Sequence, residues 1–422
     1  MTLIGLRYGG DELGFSFESD KFDVLKLSSN THPLTDIELG AIFDQPIGAP
    51  PLEELVNAGE SVLLVVPDAT RRTAAGQIAN LIVRRLIASG IMPQDIAAIF
   101  ATGIHRPVTE SERKEILTPF LVQRLRVIDH DATNKIKLFG HGNTSSGIPV
   151  ELNWALTEFD HIVLIGGVSF HYFAGFTGGR KLICPGLASE KTIAETHKLA
   201  FDCKTMQRRE GVGTGILQGN AVHEAFVEAA NKIKVSFAVN AIVDEHGRAV
   251  EVFCGEMNAS HLAACESYRH QNTIRIAQKR DVVIASCGGS PFDINVIQAH
   301  KALDAAANAC KDGGVIILIA ECGEGFGKPS MAEWFASGTS EKIAQKLCES
   351  YEVNGQTAWS FRKKTEKFDV RMVTALDETT VALLGAKKAS SINEALADID
   401  IKNDAGYIIP NASKALLMPT IA

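Results

Sequence analysis

Residues 61–103 read SVLLVVPDATRRTAAGQIANLIVRRLIASGIMPQDIAAIFATG. Two short apolar runs, 61–68 and 96–103, enclose a stretch, 75–90, whose apolar residues recur at steps of three and four. Continuous Val/Ile/Leu runs suit strands covered on both faces, and the intervening spacing is that of an amphipathic helix. Strand–helix–strand is the unit of a parallel sheet. The same kind of run returns at 160–168 (DHIVLIGGV), 280–289 (RDVVIASCGG) and 313–325 (GGVIILIAECGEG). The alternation predicts an α/β protein with largely parallel or mixed sheets flanked by helices.

A chain of 422 residues is too long for one hydrophobic core and implies more than one domain. Between 256 and 280 the sequence is polar and helical, with no strand signal, and a new strand–loop–helix series begins at Arg280. These features predict an N-terminal domain over 1–270 and a C-terminal α/β domain over 271–402, with the tail, about 403–422, crossing back to complete the first.

Hydrophobic residues make up 45% and charged residues 22%, the balance of a folded globular chain. A net charge of −8 argues against nucleic acid or an anionic membrane surface as partner, since both need a basic face. No window is apolar for the length of a membrane span, and the N-terminus has no signal-peptide pattern. A cytoplasmic location is the expectation. The eight cysteines are scattered without a CxxC pair and read as reduced, mostly buried thiols rather than a disulfide frame or zinc site.

Polar and glycine-rich residues concentrate where the predicted strands end, the place where open parallel sheets bind ligands. PDATRR follows the first strand. Arg71 offers a planar fork for a carboxylate, although Asp68 or Thr70 equally suits a helix cap. ATGIHRP follows the second, and His105 there is either a base or a structural loop residue; the TESE beyond it looks like a capped helix start. HYFAGFTGGRK, from His171, follows the run at 160–168. Gly178 and Gly179 suit a backbone that approaches a ligand closely, Arg180 and Lys181 an anion, and a desolvated lysine is also a nucleophile; the alternative is a basic surface loop. No Walker or dinucleotide glycine spacing is present. His197 sits in a helical pattern and forms no zinc signature, but one imidazole can complete the coordination of a metal held mainly by another group, nickel included. In CGGSPFDINVIQAHK, Gln298 and Lys301 are one helical turn apart.

Taken together, PDATRR, ATGIHRPVTESE, HYFAGFTGGRKLICPG, ETH and SPFDINVIQAHKALDAA resemble, in this order, the nickel-dependent lactate racemase family. The resemblance implies a racemase or epimerase acting at C2 of a 2-hydroxy acid, with its site in an interdomain cleft. It implies a nickel-pincer nucleotide (pyridinium 3,5-bisthiocarboxylic acid mononucleotide nickel) joined to Lys181, with His197 as nickel ligand and Gly178 and Gly179 beside the cofactor. It places the paired bases at His105 and His171, the carboxylate-binding arginine at Arg71, an aspartate near the cofactor at Asp68, and a polar substrate pair at Gln298 and Lys301. The partners it implies are the 2-hydroxycarboxylate and the proteins that make the cofactor and insert nickel; no nucleic acid or membrane is expected.

Such chemistry explains the residue types. The α-hydrogen beside a carboxylate is a poor acid, and it leaves more easily as hydride while a base takes the hydroxyl proton. No side chain accepts hydride, so a cofactor is required; two bases then serve the two hands. The sequence departs from the family's pattern at Asn220-Ala221, where relatives commonly have Asn-Pro, and around Thr357 and Trp359, where a bulky aromatic is usual. Arg72 adds a second cation beside Arg71, suited to a longer acidic substrate or to a surface ion pair. The rival readings are a same-cofactor enzyme of different net reaction and a non-catalytic binder of an anionic small molecule.

Overall fold

The computed structural model describes residues 1–27, 32–402 and 405–420. The chain forms two compact units: Ser29–Ala200 with Glu210–His270, and Met1–Ser28 with Phe201–Arg209 and Gln271–Ala422.

In the first of these, the stretch 61–103 forms the strand Val62–Pro67, the helix Ala75–Ala88 and the strand Ile96–Ala101. Alternate residues of a strand face opposite sides. Leu63 and Val65 therefore enter one apolar cluster, while Val62, Leu64 and Val66 enter another on the far face. The helix buries Ile78, Ala79, Ile82, Val83 and Leu86, one stripe at three- and four-residue spacing. The six-stranded sheet has the spatial order Ala249–Gly255, Phe237–Val243, His161–Gly167, Val62–Pro67, Ile96–Ala101, Arg126–Ile128. It is parallel except at its Ala249–Gly255 edge.

From Val62–Pro67 the chain steps outward through Ile96–Ala101 to Arg126–Ile128, then returns to the other side of Val62–Pro67 at His161–Gly167. Loops leaving the two strands at such a reversal diverge and open a crevice at their carboxyl ends.

The other unit holds a fully parallel six-stranded sheet: Lys387–Ala389, Asp369–Val373, Cys310–Ile319, Arg280–Ser286, Gly406–Ile409, Phe22–Val24. This corrects the expected partition. The N-terminal segment belongs here because Phe22–Val24 pairs with Gly406–Ile409. The tail stays here too: Gly406–Ile409 is an interior strand, and Leu416–Pro419 pairs with Thr273–Ile276. Thr273–Ile276 is itself a strand that the polar sequence around it concealed. The tail's residues 403, 404, 421 and 422 lie outside the described residues. Residues 201–209 join this unit through Phe201, whose ring meets Trp359 edge-on at 5.0 Å, and through a disulfide between Cys203 and Cys348.

That disulfide corrects the reading of the cysteines. The two Cα atoms lie 5.6 Å apart across a sequence separation of 145 residues, so no local spacing could reveal the pair. Cys184, Cys254, Cys265, Cys287, Cys310 and Cys322 are free and buried. Among the described residues no helix is long and apolar enough to cross a membrane.

Candidate active site

Asp68 follows Val62–Pro67 directly and is buried. The following helix begins only at Ala75, with no side-chain cap, so the cap reading of Asp68 and Thr70 is replaced by a different job. Asp68 Oδ1 accepts the Thr70 N–H at 3.1 Å and its hydroxyl at 2.6 Å, and Oδ2 lies 2.6 Å from His105 Nδ1. Burial alone would raise this carboxyl. The hydrogen bond and charge of His105, the Thr70 hydroxyl and the Arg71 charge outweigh it and hold the group below the usual aspartate value. An ionised carboxylate only accepts, so it is His105 Nδ1 that donates to Asp68. The His105 side chain is 44% exposed. Arg71 is half-buried; Arg72 donates to the Glu245 carbonyl at 3.1 Å, a backbone contact rather than a salt bridge. Thr109 and Glu112 form the capping box that TESE suggested.

Beyond His161–Gly167 the chain makes a small hairpin, Phe170–His171 against Gly175–Phe176. His171 is buried, its ring nearly parallel to Tyr172 at 5.4 Å and edge-on to Phe173 at 4.4 Å. Its Nδ1 accepts the Ala174 N–H at 3.3 Å. Phe173 also meets the imidazole of His197, at 5.1 Å, and the Lys181 ammonium, at 5.9 Å. The histidine–lysine–histidine set singled out from sequence therefore gathers about one phenyl ring.

His197 ends the helix Glu190–Lys198, which Ser189 caps. Its Nδ1 donates to the Ile193 carbonyl at 2.7 Å, leaving Nε2 deprotonated, the form that ligates a metal. Burial first, and the Lys181 charge second, push its pKa down to about 3. Among the described residues no three His, Cys, Asp or Glu side chains cluster to hold a metal. The donor set fits a group that brings most of its own ligands and takes one imidazole.

One expectation for the glycine-rich loop changes. Arg180 is neither on the surface nor turned toward an anion; it is 1% exposed. Its guanidinium donates to the carbonyls of Ala174 and Phe176 (both 3.0 Å), Gly178 (3.3 Å) and Thr177 (3.5 Å), and to His261 Nε2 at 2.8 Å. Burial lowers its pKa to about 10, so the cation persists in a ring of carbonyl dipoles. Gly178 and Gly179 pack closely on protein on the side where a Cβ would stand. A Cβ on Gly179, at φ +49°, would lie 2.8 Å from the His261 ring, and one on Gly178 would lie 2.9 Å from Val168. The Gly179 N–H is taken by Asn240 Oδ1 at 3.0 Å. These glycines let the loop pack on protein.

Gln298 and Lys301 lie in the other unit, on the first turns of Val296–Ala309, whose N-cap Asn295 accepts the Gln298 N–H. Lys301 Nζ donates to Gln298 Oε1 at 2.7 Å. Thr357 and Trp359 share the helix Val353–Lys367, where Trp359 packs on Phe201. Sequence reasoning missed Phe226, whose ring lies under Lys181 and beside His197, and Asn240 and His261, which hold the glycine loop. Each acts on a partner dozens of residues away.

Residues 8–208 match the lactate racemase N-terminal domain, and residues 276–412 the lactate racemase C-terminal domain. The chain is 31% identical over 339 residues to a lactate racemase of Thermoanaerobacterium thermosaccharolyticum, covering 79% of this chain and 78% of that one. It is 33% identical over 286 residues to a lactate racemase of Lactiplantibacillus plantarum, covering 68% and 66%. The solved lactate racemase apoprotein from Thermoanaerobacterium thermosaccharolyticum superposes with a TM-score of 0.89 at 27% identity, over 99% of this chain and all of that one. A protein from Thermotoga maritima shares the fold at a TM-score of 0.69 and 21% identity, over 92% and 99%.

Proposed function

The chain belongs to the lactate racemase family and is an isomerase, and from that premise we propose that it inverts C2 of a 2-hydroxy acid while His105 and His171 handle the hydroxyl proton. The observation that carries the reading is the meeting of His171, Lys181 and His197 about Phe173. A binder of small anions needs arginines and loops; it has no use for a neutral, tautomer-fixed imidazole beside an aromatic-caged lysine.

In this reading Lys181 holds a nickel-pincer nucleotide covalently and His197 completes its metal through Nε2. When bound, that group supplies the hydride acceptor that no side chain offers. Arg71 pairs with the substrate carboxylate through its fork, and Gln298 and Lys301 hydrogen-bond the substrate's polar groups. His105 Nε2 takes the hydroxyl proton, and Asp68 balances the imidazolium so formed. His171 serves the opposite hand. The cofactor comes from separate synthesis and nickel-insertion proteins.

The test is co-production with that machinery, intact mass, and polarimetry on a panel of single-enantiomer 2-hydroxy acids. Loss of rotation, with the α-deuterium of labelled substrate retained in ordinary-water buffer, is expected. Free exchange of the α-hydrogen with solvent would indicate a carbanion route instead, and an unmodified Lys181 without nickel would favour a binding protein.

A further inference from the structure

Of the eight cysteines, six are buried and free, and the other two, exposed Cys203 and half-buried Cys348, are joined. Burial pushes the thiols of Cys184, Cys254, Cys265, Cys310 and Cys322 up to about 12 and raises that of Cys287 as well. The thiolate is the form that reacts, so those six are closed to thiol exchange. Redox chemistry at cysteine therefore has one entrance, and it lies on a particular piece of chain. We propose that the Cys203–Cys348 bridge is a reversible redox latch, fastening the hairpin 201–208 and, through it, the end of the helix that carries His197. The latch does not depend on the racemase reading; its effect on a cofactor held by His197 does.

Residues 201–209 are an excursion of the chain. It leaves the unit of His197 after Ala200, pairs Phe201–Asp202 with Gln207–Arg208 inside the other unit, and returns at Glu210. The Ala200 N–H donates to the His197 carbonyl at 2.9 Å, so only Phe201 and Asp202 separate that turn from Cys203. A hairpin with two paired positions on each strand is too short to stand alone. Phe201 meets Trp359, Arg208 reaches Asp304 at 3.4 Å, and Lys363 donates to Gln207. These contacts grip the hairpin at its strands, whereas the bridge grips it at the tip. There Met206 keeps φ at +52°, a left-handed conformation that a methionine holds only when its surroundings impose it. Cys348, the anchor, stands in the last turn of the helix Ser340–Glu349.

Opening the latch consumes a reduced dithiol. Its thiolate attacks the Cys203 sulfur, the S–S bond breaks, and Cys348 leaves as a thiolate and takes a proton. The reagent's second thiol then displaces Cys203 from the mixed disulfide. Two electrons and two protons pass to the protein, and the reagent is left as its own disulfide. Glutathione disulfide closes the latch by the reverse exchange and is reduced to two glutathione thiols. With the tip released, the strand contacts remain, so the hairpin opens locally while the rest of the unit stays folded.

Trypsin reads the tip, because Lys204 is exposed there and its peptide bond enters a protease only when the hairpin opens. Cofactor-free protein is digested under native conditions in its bridged form, after reduction and removal of the reductant, and after reoxidation with glutathione disulfide. Cleavage after Lys204 should run roughly tenfold faster in the reduced form and return to the first rate on reoxidation. Cys348→Ser should be cut at the fast rate whether or not it has met reductant. Equal rates for the bridged and reduced forms, failure of glutathione disulfide to restore the bridge, or slow cleavage of Cys348→Ser would overturn the latch. In protein co-produced with the cofactor-synthesis machinery, a chelator should strip nickel several-fold faster from Cys348→Ser than from the bridged protein; equal loss would overturn the link to His197. If the hairpin answers to reductant but no nickel or covalent cofactor is ever carried, the functional reading falls and the latch stands.

Discussion

The ammonium of Lys181 and the imidazole of His197 lie against one ring, that of Phe226, at 4.7 and 5.3 Å from its centroid. The aromatic face favours the ammonium, while the apolar surroundings disfavour a second charge on His197. An ammonium and an imidazole of depressed pKa are thus neighbours on one ring. Phe226 comes from the helix Ala221–Ala230, capped by Asn220, whose side chain also donates to the Phe173 carbonyl at 2.9 Å. One residue outside the glycine loop therefore ties both rings of the cage together.

The depressed pKa of His197 makes the fold acid-sensitive. Unfolded, this ring takes a proton near pH 6.5; folded, only near pH 3. Between those values the unfolded state binds the extra proton, so the stability this group contributes is present above pH 6.5 and drains away as pH falls toward 3. From pH 6.5 to pH 5 the loss from this ring should be about 2 kcal/mol. Urea unfolding of cofactor-free protein should show it, and His197→Gln should flatten that part of the slope. His130, lowered to about 4, and His223, lowered to about 3, leave their own contributions in the variant. Equal slopes for the two proteins would contradict the assigned burial.

Arg180 should be among the costliest single positions in its unit. Arg180→Met keeps the length but strips donors from four carbonyls and from His261, at about 3–5 kcal/mol. Arg180→Lys retains the charge, yet one ammonium cannot reach every oxygen, so it should recover only part. Denaturant midpoints measure both. A loss below about 1 kcal/mol in Arg180→Met would mean that water replaces the guanidinium in the loop.

The strands at 62, 96, 161, 280 and 310 were legible because burial on both faces writes an unbroken apolar run. The polar candidates Asp68, Arg71, His105 and His171 drew notice because they follow the ends of those runs. Neither cue reaches Arg180: the letters GGRK read as a basic turn, and only the carbonyls of four loop residues curled around the guanidinium make it internal. Asp68 was visible as a polar strand-end residue, but its partner His105 lies 37 residues on, in a different loop. The domain partition failed for a related reason. Phe22–Val24 is a three-residue edge strand with too little pattern to announce itself, and its partner is nearly four hundred residues away.

The Cys203–Cys348 bridge can be counted chemically. Alkylation of denatured protein without reductant should label six thiols, and all eight cysteines after reduction. Because the bridge closes a 145-residue separation, reducing it should lower stability by about 2–4 kcal/mol. Cys348→Ser should reproduce that loss and leave the protein insensitive to reductant. Eight labelled thiols before reduction would show that the pair is not bonded in solution.

Attachment and turnover should separate cleanly among the site variants. His105→Ala and His171→Ala remove the proposed bases and leave Lys181 beside Phe173 and Phe226, so intact mass after co-production with the proposed cofactor-synthesis proteins should differ from that of the unsubstituted protein only by the substitution. Racemisation in each should fall by about 10²–10⁴-fold, the usual worth of a general acid–base group. Lys181→Ala should fail at the earlier stage, losing the covalent mass as well as the activity. His197→Ala should fall between, keeping the lysine-linked mass while losing nickel, read by metal analysis of the desalted protein. Full turnover by either base variant would remove that histidine from the mechanism, and covalent cofactor on Lys181→Ala would relocate the attachment to another nucleophile.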